Sequence, residues 1–240
     1  KYTYTLGSGT GVTTSGSTAS GDYYYGATIT LKASANSGYT WSKWTSSDTN
    51  LVANNTTANT TFSMPAGKIT MTPSATLNTY TITYNLNGGS VATANPTSYN
   101  VTTATFTLNN PTKTGYTFAG WTGSNGSTAQ TTVTISKGST GNKTYTANWT
   151  ANTNTAYKVI HQQMGLDGTT YTTVDTEEKT GTTGASVTPA VKTYTGFTSP
   201  STQTKTIAAN GSTVVTYKYT RNKYTYTLGS GTGVTTSGST

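Results

Sequence analysis

Apolar and polar residues alternate along four short stretches of the chain. These stretches open at Tyr2, Tyr80, Tyr157 and Tyr224, and each continues with a side chain that is apolar or aromatic at every second position. A period of two residues is typical of a β-strand with one buried face. The openings lie 78, 77 and 67 residues apart, so the pattern predicts three strand-rich modules followed by the start of a fourth.

Each predicted module contains a Gly-aromatic-Thr motif and closes with a second alternating strand. The motif occurs as Gly38-Tyr39-Thr40, Gly115-Tyr116-Thr117 and Gly196-Phe197-Thr198. The closing strands contain Ile69-Thr70-Met71, Tyr145–Trp149 and Val215–Tyr219. Asn87-Gly88-Gly89 and Asp167-Gly168 are turn signals of the kind that hairpins require. We therefore expect domains at 1–77, 78–152 and 153–222, and the start of a further copy of the first module at 223–240.

An exact internal repeat supports a tandem arrangement. Residues 1–18 recur without change at 223–240, a spacing of 222 residues. Such a repeat predicts one full period of a longer array, with ends that are cuts rather than natural termini. The junctions between modules are short and are not Gly/Ser linkers, so we expect a semi-stiff, extended string of modules.

Composition agrees with a mainly β fold. Thr provides 65 of the 240 residues, and only 8% of the residues are charged. Thr suits strands, whereas helix surfaces need Glu, Lys, Arg and Ala, so a helical protein is excluded. The 26 aromatic residues argue against a disordered chain. The absence of Cys excludes disulfides, a thiol nucleophile and a thiolate metal site.

The modules resemble known bacterial repeats. The second, through Asn87-Gly88-Gly89 and Gly115–Trp121, resembles the internalin-B-type B-repeat, also called the Listeria–Bacteroides repeat. The first, through Gly38–Trp44 and Phe62–Gly67, resembles divergent relatives of that repeat. The third, through Leu166–Thr169 and Tyr194–Phe197, is similar to mucin-binding-protein repeats of Gram-positive surface proteins. These resemblances imply small β-grasp-like domains of bacterial adhesins, each with a short helix. Because residues 92–107 are rich in Thr and Asn, we expect this helix to be shortened or lost.

Candidate catalytic residues are scarce, so we expect no enzyme, no metal site and no cofactor. The chain has six acidic residues and one histidine, His161, which is expected to be a strand side chain. Asp167 precedes Gly168 as a turn former. Glu177 and Glu178 are adjacent on a predicted strand and should face opposite sides. Either could assist a Lys–Asn isopeptide crosslink in the third module, whereas the second module has no acidic residue.

The aromatic residues suggest core anchors and one exposed cluster. Six of them recur at similar places in the modules and are expected to anchor the cores: Tyr39, Trp44, Tyr116, Trp121, Trp149 and Phe197. A sugar-stacking platform is the alternative for Tyr39, Trp44, Tyr116 and Trp121. Tyr23, Tyr24 and Tyr25 form a cluster with no counterpart in the second module and are the candidate for ligand contact, with Tyr24 on the opposite face of a strand from its neighbours.

These features together favour a structural role outside the cell. The net charge of +8 comes from scattered lysines and one arginine, which does not indicate nucleic-acid binding. No apolar run approaches the roughly 18 residues of a membrane helix. We expect the stalk of an adhesin anchored at the bacterial cell wall, with further copies of the repeat as partners in cis. The alternatives are a module that binds glycans or host proteins, and self-association through edge strands into filaments or a biofilm matrix.

Overall fold

The computed structural model describes residues 1–49, 51, 56–229 and 231–233. This part of the chain forms strands, turns and loops and contains no helix. The prediction of a mainly β chain is confirmed, and the helix implied for stretch 92–107 is replaced by two-residue strands and loops. Consequently, none of the described residues belongs to a helix that could cross a membrane.

The strands fall into three consecutive groups along the chain. The first group is β1 (Tyr2–Leu6), β2 (Val12–Thr13), β3 (Gly21–Tyr23), β4 (Thr28–Leu31), β5 (Ser34–Ala35), β6 (Tyr39–Ser46), β7 (Thr60–Ser63) and β8 (Ile69–Leu77). The second is β9 (Tyr80–Asn85), β10 (Ser98–Tyr99), β11 (Phe106–Thr107), β12 (Tyr116–Gly123), β13 (Gly126–Gln130), β14 (Thr134–Ile135) and β15 (Lys143–Ala151). The third is β16 (Thr155–Met164), β17 (Tyr171–Gly181), β18 (Ser186–Val187), β19 (Phe197–Thr198), β20 (Lys205–Thr206) and β21 (Val214–Arg221).

Each group builds one main sheet with the same arrangement of strands. The orders are β3-β1-β8-β6, β10-β9-β15-β12-β13 and β17-β16-β21-β19. In every sheet the opening strand pairs parallel with the closing strand on one side. On its other side it pairs antiparallel with a strand that follows it in the same group, which is β3 in the first sheet, β10 in the second and β17 in the third. The strand on the other side of the closing strand begins at the aromatic residue of the Gly-aromatic-Thr motif. Two-stranded sheets β2-β5, β4-β7, β11-β14 and β18-β20 complete the fold.

The chain divides into two compact units. One comprises Lys1–Pro111 with Phe118–Asn148, and the other comprises Thr112–Thr117 with Trp149–Thr240. In the first unit, Tyr4, Trp44 and Ile69 belong to a buried cluster of the first sheet. In the second unit, Val159 and Tyr217 belong to a corresponding cluster of the third sheet. These cores use the inward-facing half of each alternating strand, as the two-residue period requires.

Two predicted features differ from the observed structure. Asn87 and Gly88 form a turn with φ of 47° and 81°, but the next strand begins only at Ser98, so this turn does not close a tight hairpin. The strand predicted at Tyr224 is not formed. In the first copy the same residues pair with β3 and β8, and the second copy has no such partners among the described residues.

Candidate functional site

The two central tryptophans are fully buried. Trp44 and Trp121 have no exposed surface. The indole N–H of Trp44 donates to the carbonyl of Ala58 at 3.0 Å, and that of Trp121 donates to Oδ1 of Asn110 at 3.0 Å. Because each ring is enclosed and its only polar atom is bonded, neither is open to a stacking ligand.

The other four predicted anchors are only partly buried, and one of them, Phe197, packs against the buried cluster of the third sheet. The half-buried side chains are Tyr39, Tyr116, Trp149 and Phe197. The ammonium of Lys113 lies 4.4 Å from the ring centre of Tyr116 and 5.8 Å from that of Trp149. The guanidinium of Arg221 lies 4.6 Å from the ring centre of Phe197. Cations therefore already lie close to the rings of Tyr116, Trp149 and Phe197, where they can make the cation–π contact that a ligand would otherwise make.

An asparagine follows the closing strand of each sheet and binds back to the Gly-aromatic-Thr motif. In the first group, the Asn78 N–H donates to the Gly38 carbonyl at 2.9 Å, and the Thr40 hydroxyl donates to Asn78 Oδ1 at 2.7 Å. The same pair of bonds joins Asn152 to Gly115 and Thr117, at 3.0 and 2.8 Å. We call each such arrangement an asparagine joint.

The third asparagine joint has the same geometry. The Asn222 N–H donates to the Gly196 carbonyl at 2.9 Å, and the Thr198 hydroxyl donates to Asn222 Oδ1 at 2.7 Å. Sequence reasoning found the Gly-aromatic-Thr motifs but missed these asparagines. The signal was present, because an Asn stands directly after the last residue of β8, β15 and β21.

The glycine of the asparagine joint is a point of close approach in two of the three cases. A Cβ on Gly38 would lie 2.1 Å from Cγ1 of Val101, and a Cβ on Gly115 would lie 2.7 Å from the carbonyl oxygen of Ala209. Both glycines also have φ near +80°, where a side chain is strained. The motif therefore requires Gly for its backbone shape and for the space that the neighbouring segment occupies.

The Tyr23–Tyr25 cluster is split between core and surface. Tyr23 packs against the buried cluster of the first sheet, whereas Tyr24 and Tyr25 are 70% and 73% exposed. The expected alternation is wrong because β3 ends at Tyr23, so Tyr24 and Tyr25 lie in the following turn. The ammonium of Lys1 lies 5.2 Å from the ring centre of Tyr24. Of the three, Tyr24 and Tyr25 offer an open aromatic surface.

The titratable side chains of the third sheet converge around His161. This residue is completely buried on β16, opposite Tyr217 in the parallel pair with β21. Its Nδ1 lies 2.8 Å from the Tyr219 hydroxyl, and its Nε2 lies 3.0 Å from Oε1 of Glu177. The backbone N–H of Lys192 donates to the Tyr219 hydroxyl oxygen at 2.9 Å. Both ring nitrogens of the buried imidazole therefore have a hydrogen-bond partner, as a buried polar group requires.

The acidic residues beside His161 are neutralised by lysines. Ligand atoms of His161, Asp175 and Glu177 lie within 4.8 Å of one another, which is the spacing of a metal site. The Lys192 ammonium, however, contacts Asp175 and lies 3.1 Å from Oε1 of Glu177, while Lys179 lies 2.7 Å from Oε2 of Glu177. The cluster therefore holds a cation of its own. Glu178 faces the other side of β17 and pairs with Lys158, as its position next to Glu177 predicted.

The electrostatics of this cluster favour ion pairs over covalent chemistry. Hydrogen bonds to Asp175 and Glu177 raise the pKa of Lys192, so its amine stays protonated and has no lone pair for attack on a carboxyl or amide. Hydrogen bonds from Lys179, Lys192 and His161 lower the pKa of Glu177 to about 2. Glu177 is therefore a poor proton donor or acceptor near neutral pH. Asp167 lies outside this cluster, in the turn between β16 and β17. It accepts hydrogen bonds from Thr169 and Thr170, which lower its pKa to about 2.

The lowered pKa of Glu177 makes the third sheet sensitive to acid. The pKa falls from its ordinary value of 4.5 to about 2 on folding, so the folded state disfavours the proton. The resulting stabilisation is complete above about pH 4.5 and is lost as the pH falls toward 2. We expect the urea concentration at which the third sheet unfolds to fall as the pH is lowered through this interval. Amide hydrogen exchange of the residues of that sheet measures this midpoint.

Neighbouring glutamates provide the control for this pH dependence. Glu177→Gln should reduce the loss of stability that the third sheet shows in acid. The remaining loss should be the smaller contribution of Asp175, whose pKa is lowered by Lys192. Glu178→Gln should keep the full loss, since the ion pair of Glu178 with Lys158 is exposed. Equal acid profiles for the two variants would contradict the assignment.

Comparison with known families identifies repeat domains in the first two groups of strands. Residues 2–76 match the divergent InlB B-repeat domain, and residues 80–156 match the Listeria-Bacteroides repeat domain. These two stretches are tandem B-repeat domains, a kind of repeat that occurs in extracellular bacterial proteins. The chain matches no curated protein and no solved structure. The resemblance of the third stretch to mucin-binding-protein repeats remains a prediction.

Proposed function

We propose that this chain is a non-catalytic spacer in the stalk of a bacterial surface adhesin, anchored at the cell wall and holding a distal binding head away from it. The tandem B-repeat domains support an extracellular repeat protein. The three similar main sheets, with antiparallel pairing on one side of the opening strand and parallel pairing on the other, support β-grasp-like modules at 1–77, 78–152 and 153–222.

The asparagine joints carry this proposal. A spacer keeps its two ends apart only if the connections between its modules resist bending. Here the asparagine that follows each closing strand is hydrogen-bonded to the Gly-aromatic-Thr motif of the same module. Only Asn78 and Thr79 separate β8 from β9, and only Asn152, Thr153 and Asn154 separate β15 from β16. Connections this short with a bonded first residue have little of the freedom of a Gly/Ser linker.

The chemistry of the described side chains gives further support for a non-catalytic role. The one cluster of titratable groups among the described residues, around His161, is fully paired, and its carboxylates are held in their ionised form. The central tryptophans Trp44 and Trp121 are enclosed rather than exposed to a substrate. Catalysis by acid–base or covalent steps needs groups that are free to exchange protons or attack, which these are not.

Loosening an asparagine joint should widen the range of distances across it. A double variant, Asn78→Ala with Thr40→Ala, removes the side-chain hydrogen bond of the first joint, which contributes about 0.5–1.5 kcal/mol. An open joint should then become roughly 2- to 13-fold more populated. Spin labels on Lys32→Cys and Lys137→Cys, introduced into the cysteine-free chain, should show a broader distance distribution.

Asn85→Ala is the matched control for the joint variant. Asn85 is the last residue of β9, and its Oδ1 accepts from the Asn87 N–H two residues later, so its loss removes a hydrogen bond to an asparagine side chain away from the joints. The distance distribution should remain as narrow as in the parent chain. If the joint variant and this control give the same width, the asparagine joints do not restrict bending and the spacer proposal loses its main support.

A second candidate function is the binding of glycans or host proteins. The exposed rings of Tyr24 and Tyr25, with the Lys1 ammonium beside Tyr24, favour it because such rings can stack on sugar faces. A glycan array would distinguish the two functions. Saturable binding that disappears in a Tyr24→Ser, Tyr25→Ser variant would favour a binding module over a pure spacer.

A further inference from the structure

Each main sheet has a four-residue turn directly after the strand that pairs antiparallel with its opening strand. These turns span 24–27, 100–103 and 182–185, and we call them the module turns. In each of them the N–H of the fourth residue donates to the carbonyl of the first, at 3.1, 3.1 and 3.0 Å. The second residues of the three module turns are therefore equivalent, and they are Tyr25, Val101 and Thr183.

The module turn of the second sheet packs on the first asparagine joint. Cγ1 of Val101 lies so close to Gly38 that a Cβ on this glycine would be only 2.1 Å away. Val101 is half-buried in this position. The module turn here covers the joint that closes the preceding module.

The module turn of the third sheet packs on the second asparagine joint in a similar way. The Thr183 N–H donates to the Asn152 carbonyl at 2.9 Å, and Thr183 is only 6% exposed. A Cβ on Gly184, the next residue of the turn, would lie 3.8 Å from the hydroxyl oxygen of Tyr116. In both cases, the second residue of a module turn contacts the asparagine joint of the module before it.

The module turn of the first sheet has a backbone similar to that of the third. The Gly26 N–H donates to the Met64 carbonyl at 2.9 Å. The Gly184 N–H donates to the Ile207 carbonyl, also at 2.9 Å, and the two glycines have φ of 79° and 77°. Tyr25, however, is 73% exposed, and its N–H has no hydrogen-bond partner among the described residues. This turn therefore presents to solvent the surface with which the other two contact a joint.

The third asparagine joint is complementary to this turn, because it has the joint geometry without a module turn on it. Asn222 binds Gly196 and Thr198 as the other two asparagines bind their motifs. A Cβ on Gly196 would nevertheless meet nothing within 4 Å among the described residues. The first module turn and the third asparagine joint are thus the two halves of a junction within one period.

The exact repeat indicates which module follows the third asparagine joint. Residues 223–240 have the sequence of residues 1–18, so the segment after Asn222 is the start of a first module. The opening tyrosine stands two positions after the joint asparagine here, and the same spacing connects the first and second modules. A first module held by this short connection is placed as the second module is placed on the first joint.

We propose that, in the repeat array, each first module packs its module turn onto the third asparagine joint of the preceding period. The Tyr25 N–H then donates to the Asn222 carbonyl, as in the junction of the second and third modules, and the Tyr25 ring covers Gly196. The proposal rests on the spacer function and deepens it. It assigns Tyr24 and Tyr25 to contact between copies of the repeat rather than to a ligand, and burial of their rings stabilises the junction.

A chain lengthened to two complete periods tests the hydrogen bond of this contact. It contains two first modules of identical sequence, and only the second of them follows an Asn222. Segmental isotope labelling resolves the Tyr25 amide of each copy by NMR. The amide of the second copy should exchange roughly 2- to 13-fold more slowly than that of the first, which is the effect of one net hydrogen bond.

Substitution of the tyrosines in one copy at a time tests the ring contact. Spin labels on Lys205→Cys in the first period and Lys32→Cys in the second, in the otherwise cysteine-free chain, report the distance across the junction between periods. Tyr24→Ser with Tyr25→Ser in the second copy should broaden this distribution and raise the population of open junctions about 5-fold or more. The same double substitution in the first copy is the matched control, which leaves that junction intact and should not change the width.

The results of these two experiments either support or overturn the contact. Slower exchange in the second copy, together with broadening that only the second-copy variant shows, supports it. Equal exchange of the two Tyr25 amides, or equal widths for the two variants, would overturn it.

A second pair of labels separates this result from the spacer function. Lys32→Cys and Lys137→Cys in the first period report on the first asparagine joint. If that distribution is narrow while the contact is overturned, the contact alone is rejected. If it is as broad as in the Asn78→Ala, Thr40→Ala variant, the spacer function is rejected and the proposal with it.

Discussion

Trp121→Ala is expected to lower the free energy of unfolding of the second sheet by about 3–5 kcal/mol, because it empties the centre of a small core. The ring is fully buried and lies within 5.4–6.4 Å, centre to centre, of Phe118, Tyr84 and Tyr145. A module of this size is stable by only about 4–11 kcal/mol. Trp44→Ala should have a comparable effect on the first sheet. Amide hydrogen exchange, resolved by residue, measures the loss in each sheet.

Trp41→Ala is the control on the same strand as Trp44. Trp41 is half-buried at the rim of the core, with its indole N–H bonded to the Thr56 carbonyl, so its loss should cost clearly less than that of Trp44. The effect of Trp121→Ala should also be confined to the second sheet if the sheets have separate cores. Equal loss of protection in the third sheet, or a cost below about 1 kcal/mol, would contradict the role of Trp121 as a core anchor.

The strands of this chain could be predicted because their side-chain alternation is strong. Alternating Tyr, Ile and Val with Thr marks β1, β9 and β21, and the aromatic residue of each Gly-aromatic-Thr motif begins β6, β12 and β19. Alternation specifies which face of a strand is buried, but it does not specify the partner. The parallel pairing of opening and closing strands therefore had to come from the structure, since it joins residues about 60 positions apart, such as Tyr84 and Tyr145.

The asparagine joints escaped prediction for a statistical reason and a physical one. Asn and Thr are so abundant here that Asn78, Asn152 and Asn222 do not stand out in the sequence. Their role depends on hydrogen bonds to a motif 24–40 residues earlier, which no local pattern reveals. Once the three joints are aligned, the third sheet shows the same connection as the two B-repeat domains, although its sequence is more divergent.

The polar cluster of the third sheet was predicted only in part. The position of His161 on a strand and the opposite orientations of Glu177 and Glu178 follow from the two-residue period. The approach of Lys192 to Asp175 and Glu177 does not, because Lys192 lies in a loop whose path local patterning cannot specify. The same limit applies to Tyr24 and Tyr25, whose exposure depends on where β3 ends.

Gly115→Ala should be among the most damaging single-methyl changes in the chain. At φ of +77° any side chain is strained, at a cost of about 1–2 kcal/mol. The new Cβ would also lie 2.7 Å from the carbonyl oxygen and 2.8 Å from Cα of Ala209, and backbone atoms cannot rotate away. Overpacking of this kind adds about 1–3 kcal/mol. We expect a loss of about 2–5 kcal/mol in unfolding free energy, with faster exchange of the Asn152 amide that bonds to the Gly115 carbonyl.

Gly196→Ala separates the two causes, because this glycine has the same place in its motif and φ of +82°, but its Cβ would meet nothing within 4 Å among the described residues. It should show only the backbone strain of about 1–2 kcal/mol and a small change at the Asn222 amide. The difference between the variants then measures the close approach at Gly115. Equal losses would mean that the glycine is required for backbone shape alone, and that the packing of Ala209 against the second asparagine joint adds nothing to its stability.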